Sequence, residues 1–297
     1  MRGSSGPASI DHCGTECKSR GHLDKWNTPF TQYPLSESCG NRDPAKTELT
    51  VYRIRCAEIW GGINDEEQDV CSAGLVASLY SSACEGGKGG DIYYFSVCGS
   101  DNLTRVAVAD VVGHGSAVSE VSEWLYHTLE ERMNDTSGNG VLADLNRAAS
   151  ARGVEAITTA AVVGFYTADS NFYYSYAGHT PALLRRASDS AWRPIELDAN
   201  EVQHVNAPLG VLSDCEFDQQ HMPLVTGDRV FLYTDGLVET RNEHAEQFGE
   251  IRLRNTLDEA SAEPLPELKR AVLEAVRKHA NGDLRRDDVT MLAIEVR

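Results

Sequence analysis

The chain has 297 residues with an ordinary content of apolar residues, Gly and Pro, which is enough to bury one sizeable core. Its 45 acidic and 27 basic residues give a formal net charge of −18 at pH 7, so the protein repels nucleic acid and anionic membranes, and neither is expected as a partner. The eight cysteines show no CxxC spacing, and a chain of this length does not need disulfides to fold. We therefore expect reduced thiols rather than a disulfide-rich secreted domain.

Residues 1–45 are predicted to form a flexible tail, because they are rich in Ser, Gly, Pro and charge and show no hydrophobic periodicity. The N-terminal residues have no apolar segment of the signal-peptide type, and no apolar run is long enough to cross a bilayer. The expectation is a cytoplasmic protein with a tail at 1–45 and one globular domain at 46–297.

From Glu48 onward, short β-rich runs alternate with Gly and Asp. These runs predict strands at 49–54, 74–80, 92–97 and 105–110. Apolar residues at steps of three and four then predict an amphipathic helix over 116–133, and a second helix fits 141–151.

The second half of the chain returns to strands. Two runs, 156–166 and 172–177, are joined by a turn at 169–171 and predict a β-hairpin. Further strands are predicted at 181–186, 219–223, 229–233 and 289–296, and a helix with one apolar face at 264–279. Strands, then helices, then strands, without regular βαβ alternation, favour an α+β fold in which helices cover sheets.

Four acidic motifs follow predicted strands or stand beside Gly turns. They are GGD at 89–91, DVVGHG at 110–115, TDG at 234–236 and DDVT at 287–290. Strand ends that converge on one rim present carboxylates to a common point, and Gly lets the backbone approach an ion closely. Gathered carboxylates repel one another unless a cation neutralises them, and two hard divalent ions can activate a water for attack on phosphorus.

Each motif taken alone has an ordinary structural explanation. TDG is commonly a turn or a helix cap, and DDVT is compatible with a solvated loop. The GHG at 113–115 precedes a predicted helix, so it also fits a phosphate-binding loop. The order and separation of the whole set favour the metal site.

A longer series of motifs extends this pattern: GGDxY, ADVxGHG, a TT hairpin ending in AGHTP, APLG, GDRxFLYTDGLVE and RDDVT. The series resembles the SpoIIE/RsbU branch of the PPM-type metal-dependent protein phosphatases, over about residues 57–297. The resemblance implies a four-layer α-β-β-α sandwich, with two central antiparallel sheets flanked by helices. It also implies hydrolysis of phosphoserine or phosphothreonine by a water activated between two divalent metal ions, Mn²⁺ or Mg²⁺.

Carried over motif by motif, the resemblance implies a set of metal ligands at one edge of the sandwich. They are Asp91, Asp110, the backbone carbonyl of Val111, Asp235 and Asp287. Asp110 is expected to bridge both ions. In related eukaryotic enzymes the last motif reads DN, which places the ligand first and favours Asp287 over Asp288.

The same resemblance suggests Asp110 and Asp235 as catalytic residues, with His114 as a candidate general acid for the leaving oxygen. A capping or structural role for His114 is the open alternative, because it lies four residues after Asp110 rather than two. His179, in AGHTP, is expected to have a structural role in a turn. Thr158 and Thr159 face opposite sides of their strand, so at most one of them points to the site.

Two local features bear on the family pattern. The branch often reads GGDYYD, but Tyr94 replaces the second acid here. The segment 242–249 resembles the family's variable flap, where substrate contacts are expected.

The usual target in this branch is a phosphorylated STAS-type anti-sigma-factor antagonist, so the resemblance implies such a protein as substrate. Control by a homodimer, by a regulatory partner or by metal occupancy is left open. A catalytically silent docking module is the main alternative, and loss of a metal aspartate would mark it, but all four are present. An ATP-binding kinase-like fold would need an Asn-bearing helix and a DxGxG loop, and neither is found.

Overall fold

The structure is a computed structural model that describes residues 51–98, 101–113, 118–132, 135, 137–282 and 287–297. The predicted tail at 1–45 lies outside the described residues, and its boundary stays a prediction. The strands are β1 (Val51–Arg53), β2 (Glu58–Asn64), β3 (Glu66–Cys71), β4 (Leu75–Ser82), β5 (Lys88–Cys98), β6 (Leu103–Val111), β7 (Thr158–Tyr166), β8 (Asn171–Ala177), β9 (Leu183–Arg185), β10 (Arg193–Pro194), β11 (Gln220–Pro223), β12 (Arg229–Tyr233) and β13 (Val289–Val296). The α-helices are α1 (Ser119–Glu130), α2 (Gly138–Arg152), α3 (Asp235–Glu239), α4 (Gly249–Glu259) and α5 (Leu265–His279).

The strands form two sheets. Sheet I has the order β1-β3-β4-β13-β12-β9-β10, and sheet II has the order β11-β8-β7-β6-β5-β2. All pairings between these neighbours are antiparallel except β1–β3, which is parallel. The prediction of two antiparallel sheets is therefore confirmed for the body of the fold and corrected at one edge of sheet I.

The alternation of side chains along each strand builds two cores at once. In β5, Tyr93 and Phe95 belong to the core between the sheets, whereas Ile92 and Tyr94 belong to the core under the helices. This is the period of two expected of a strand buried on both faces. Tyr94, at the position where the branch often has a second acid, is fully buried beside Tyr126 and is a core residue.

Helices cover the outer face of each sheet. α1 and α2 contribute Leu125 and Leu142 to the core on sheet II. α4 and α5 contribute Leu253 and Leu268 to the core on sheet I. The four-layer α-β-β-α arrangement is thus confirmed. In the described part of the chain, no helix is both long and apolar enough to span a membrane.

Candidate metal centre

Asp91 on β5 and Asp110 on β6 are direct partners in the antiparallel register of sheet II. Both lie on the face that looks toward sheet I, because Tyr93 and Val108, two residues away on the same strands, belong to the core between the sheets. Asp91 is buried and Asp110 is partly buried. Thr159 pairs with Asp110 from β7, so it is Thr159, and not Thr158, that lies on this face.

Sheet I supplies the other two predicted ligands. Asp235 is the first residue of α3, two residues after the end of β12, and its side chain is exposed. The negative charge of Asp235 acts on Asp110 from the other side of the site and contributes to its raised pKa. Asp287 lies two residues before β13, and its charge acts on both Asp91 and Asp110. Four acidic residues that are far apart in sequence therefore lie near enough for their charges to act on one another.

Burial and mutual repulsion change the ionisation of the two sheet II carboxyl groups. Burial, followed by the charges of Asp91 and Asp235, raises the pKa of Asp110 to about 9. Burial also raises the pKa of Asp91 to about 8, against the lowering effect of its hydrogen bond from Thr234. Buried carboxyl groups that hold their protons so tightly are the groups whose ionisation a nearby cation would favour.

Thr234 connects the two sheets at this point, a role that our sequence interpretation missed. Its hydroxyl donates to Oδ2 of Asp91 at 2.7 Å and accepts the backbone N–H of Thr290 at 2.9 Å. A Thr in front of a helix usually caps it through its side chain, but no such hydrogen bond is made to α3. The only sequence signal was the Thr of the TDG motif, which also fits an ordinary cap.

Asp288 has a different environment from its neighbour Asp287. The Asp288 carboxylate is buried and accepts the backbone N–H groups of Cys84 at 2.7 Å and of Gly90 at 2.5 Å. A Cβ atom at Gly89 would lie only 2.8 Å from this carboxylate, which explains the glycine. Asp288 thus holds the segment before Asp91, while Asp287 is partly exposed. This supports the choice of Asp287, whose ligand role stays a prediction.

The remaining predicted site residues are placed as follows. Val111 ends β6 and is fully buried, and the role of its carbonyl stays a prediction. His114 lies outside the described residues. His179 is buried, its Nδ1 donates to the carbonyl of Thr180 at 2.8 Å, and burial lowers its pKa. A neutral imidazole bonded to the next residue's carbonyl fits the expected turn role.

The flap-like segment at 242–249 packs against α5. Asn242 closes it by accepting the N–H groups of His244 and Glu246, and His279 donates to the Glu246 carbonyl at 2.8 Å. A cavity of about 510 Å³ lies beside this segment, α4 and α5, and it is lined by Asn242, Glu243, Phe248, Arg252, Asn255, Thr256, Glu259, Ala275, Lys278, His279 and Asn281. None of the four aspartates lines it, so it is not the carboxylate site.

Carboxylate and carbonyl oxygens are the ligands that hard divalent cations such as Mg²⁺ and Mn²⁺ prefer, so the donor chemistry fits. Within the described residues, however, no group of three or more His, Cys, Asp or Glu side chains already has the spacing of an ion's ligand set. The backbone brings the segments together, and the side chains must close further to hold an ion.

Comparison with known proteins identifies the family. Phosphoserine phosphatase RsbP of Bacillus subtilis (strain 168) is 22% identical over 246 residues, which cover 79% of this chain and 54% of RsbP. The solved RsbU and RsbW domains of Rv1364c from Mycobacterium tuberculosis are 25% identical, with a TM-score of 0.66 over 79% of this chain and 63% of that one. The chain thus spans about half of RsbP and less than two thirds of the Rv1364c chain.

RsbX, solved in complex with magnesium, has the same fold, with a TM-score of 0.57 and 17% identity over 78% of this chain and 100% of RsbX. The family described as Stage II sporulation protein E (SpoIIE) matches residues 100–297, about two thirds of the sequence. The chain therefore belongs to the SpoIIE family.

Proposed function

We propose that this protein is a metal-dependent phosphoprotein phosphatase that hydrolyses phosphoserine or phosphothreonine. The observation that carries the proposal is the convergence of Asp91 and Asp110 from one sheet with Asp235 from the other. Such a group of acidic side chains is costly without a cation. Family membership and the name of RsbP, a phosphoserine phosphatase, supply the reaction class.

The proposed ligands of two divalent ions, Mg²⁺ or Mn²⁺, are Asp91, Asp110, the Val111 carbonyl, Asp235 and Asp287. When bound, the ions would supply a water of lowered pKa and offset the charge on the phosphoryl oxygens. The all-oxygen donor set supports this choice of metal, and the related fold of RsbX was solved with magnesium.

The chain's own residues have distinct tasks in this scheme. Asp110, central to the group, is the proposed bridging residue, and its raised pKa means that a proton leaves it when a cation binds. Asp235 is exposed, so a phosphoprotein can reach it from solvent. The leaving Ser or Thr oxygen needs a proton, and His114 is the proposed donor.

We further propose a STAS-type anti-sigma-factor antagonist as the phosphorylated substrate, and control by a homodimer or a regulatory partner. This part of the proposal rests on the resemblance to the SpoIIE/RsbU branch. The net charge of −18 disfavours a polyanionic substrate such as nucleic acid.

The direct test is hydrolysis of p-nitrophenyl phosphate and of a phosphoserine peptide, with Mn²⁺, with Mg²⁺ and with a chelator. Asp235→Asn should abolish the metal-dependent turnover. Asp101→Asn is the matched control, because Asp101 is exposed in the β5–β6 turn, about 20 Å along the strands from Asp91 and Asp110. Turnover that persists in Asp235→Asn, or that is the same with and without the metal, would refute the proposed mechanism.

A catalytically silent docking module is the second candidate. It is favoured by the absence of a preformed ligand set among the described residues. A folded protein that shows no turnover with either metal, but still binds a phosphorylated STAS-type protein, would support this alternative. Turnover that is lost in Asp235→Asn would exclude it.

A further inference from the structure

We propose that Thr234 is a positioning residue that sets the affinity of the site for a divalent metal by fixing the carboxylate of Asp91. The inference rests on the proposed function, because it takes Asp91 to be a ligand. It adds a residue that does not itself belong to the proposed ligand set. Thr234 and Asp91 come from different sheets, so their hydrogen bond also connects the two halves of the site.

The direction of the Thr234 hydroxyl is fixed by its partners. The hydroxyl oxygen accepts the backbone N–H of Thr290 at 2.9 Å, and the single hydroxyl proton is donated to Asp91 Oδ2 at 2.7 Å. A longer contact of 3.4 Å to the Thr290 carbonyl is the weaker alternative for that proton. The backbone of Thr234 also donates to the Thr290 carbonyl at 2.9 Å, so the residue is anchored on both sides.

Fixing Oδ2 has a consequence for metal binding. A carboxylate whose Oδ2 accepts a bond from a fixed, buried hydroxyl cannot rotate freely, so this hydrogen bond limits the directions in which the Asp91 oxygens can face an ion. Hydrogen bonds to ligating carboxylates commonly have this orienting effect, and their loss typically weakens metal binding by about 10- to 100-fold. Thr234 and Asp91 are both almost fully buried, so water cannot readily replace the missing donor.

The inference requires a hydroxyl group at position 234, not merely a side chain of this shape. A Thr before a helix is expected to cap its first amides, yet this hydroxyl makes no bond to α3. Helix capping therefore does not account for the side chain. A Ser at this position keeps the donor, whereas a Val of nearly the same shape removes it.

The test is calorimetric titration of the metal-free protein with Mn²⁺, which reads binding without activity. Thr234→Val should raise the Kd by about tenfold or more. Thr234→Ser should bind like wild type. Thr104→Val is the matched control, because Thr104 is also 1% exposed and its hydroxyl also donates at 2.7 Å, but to Ser72, far from Asp110 on β6. Thr104→Val should leave the Kd unchanged.

Thermal unfolding of the metal-free variants separates positioning from folding. Both valine variants are expected to lower the midpoint, but only Thr234→Val should weaken metal binding. If Thr234→Val is not folded by circular dichroism, Thr234→Ala provides the same loss of donor. A folded loss-of-donor variant with the Kd of wild type would overturn the inference and leave the proposed function standing. Failure of the wild type itself to bind Mn²⁺ would overturn both.

Discussion

Asp91 and Asp110 stand opposite each other on β5 and β6, with both carboxyl groups on the face toward the second sheet. Like charges directly opposite on neighbouring strands destabilise a sheet, and burial adds to the cost. This unfavourable free energy arises where Asp235, from the other side of the site, also acts on Asp110. A bound cation would offset this repulsion, which is how the fold supports the proposed metal chemistry.

The first prediction concerns the stability of the metal-free protein. An acid whose pKa is raised by folding binds its proton more tightly in the folded state, so stability falls as pH rises from its ordinary pKa to the raised value. Because the pKa of Asp91 is raised to about 8 and that of Asp110 to about 9, the loss of stability extends to about pH 9. The thermal midpoint in chelator should therefore fall between about pH 5 and about pH 9.

Asp110→Asn should flatten this pH dependence, because it removes one of the two titrating groups and the repulsion on the other. Asp101→Asn removes the same charge from an exposed turn and should keep the slope of wild type. An equal slope in Asp110→Asn and wild type would show that these carboxyl groups do not set the stability.

The second prediction concerns metal binding as a function of pH. Ligating carboxyl groups must lose their protons, so Mn²⁺ should bind more tightly at about pH 8.5 than at about pH 6. The stabilisation by a fixed concentration of Mn²⁺ should increase in parallel. Titration calorimetry in buffers of different ionisation enthalpy should detect released protons at the lower pH. Binding without proton release there would place the ion elsewhere.

The strands could be predicted where apolar and polar residues alternate or where the sequence is continuously apolar, as in β5, β6 and β13. Two strands could not be predicted: β2, whose EIWGGIN contains two glycines, and β3, in which half of the residues of EEQDVC are acidic. The helix α4 could not be predicted either, because it buries only Leu253 and Leu257 and therefore has a weak apolar pattern. In these elements tertiary packing outweighs local preference.

The residues of the candidate site were easier to predict than their arrangement. Each acidic motif could be found locally, but the register that places Asp91 opposite Asp110 depends on strand pairing between distant parts of the chain. The bond from Thr234 to Asp91 joins two sheets and has no local signature. The role of Asp288 could not be predicted either, because its partners lie about 200 residues away, at separations of 204 and 198.

The third prediction separates Asp287 from Asp288. Asp288→Ala leaves the buried N–H groups of Cys84 and Gly90 without their acceptor, which should cost about 2–4 kcal/mol of stability. Asp287→Ala removes a partly exposed side chain whose Oδ1 accepts the N–H of Asp288 at 2.9 Å, and should cost less, about 1 kcal/mol of metal-free stability.

Asp287→Ala should instead weaken Mn²⁺ binding, while the fold stays intact. Urea unfolding in chelator and titration calorimetry measure the two quantities. If Asp287→Ala binds Mn²⁺ like wild type, Asp287 is not a ligand.

The fourth prediction concerns the junction between α3 and the segment before β13. A Cβ atom at Gly236 would overlap the backbone carbonyl oxygen of Asp288 and contact the Asp287 side chain. Helix propensity alone favours Ala over Gly by about 1 kcal/mol, so Gly236→Ala would stabilise the protein if packing did not matter. We expect the opposite sign: a lower thermal midpoint, by about 4–8 °C, and weaker Mn²⁺ binding, because the added methyl group pushes Asp235 away from Asp287. Gly138→Ala, at the start of α2, is the control, because a Cβ atom there would meet the side-chain oxygen of Gln219 at 3.2 Å, which accepts the Gly138 N–H, rather than a backbone atom, and a smaller change in the midpoint is expected. Equal stabilisation by both substitutions would show that α3 and the Asp287 segment are not held at the distance that the proposed site requires.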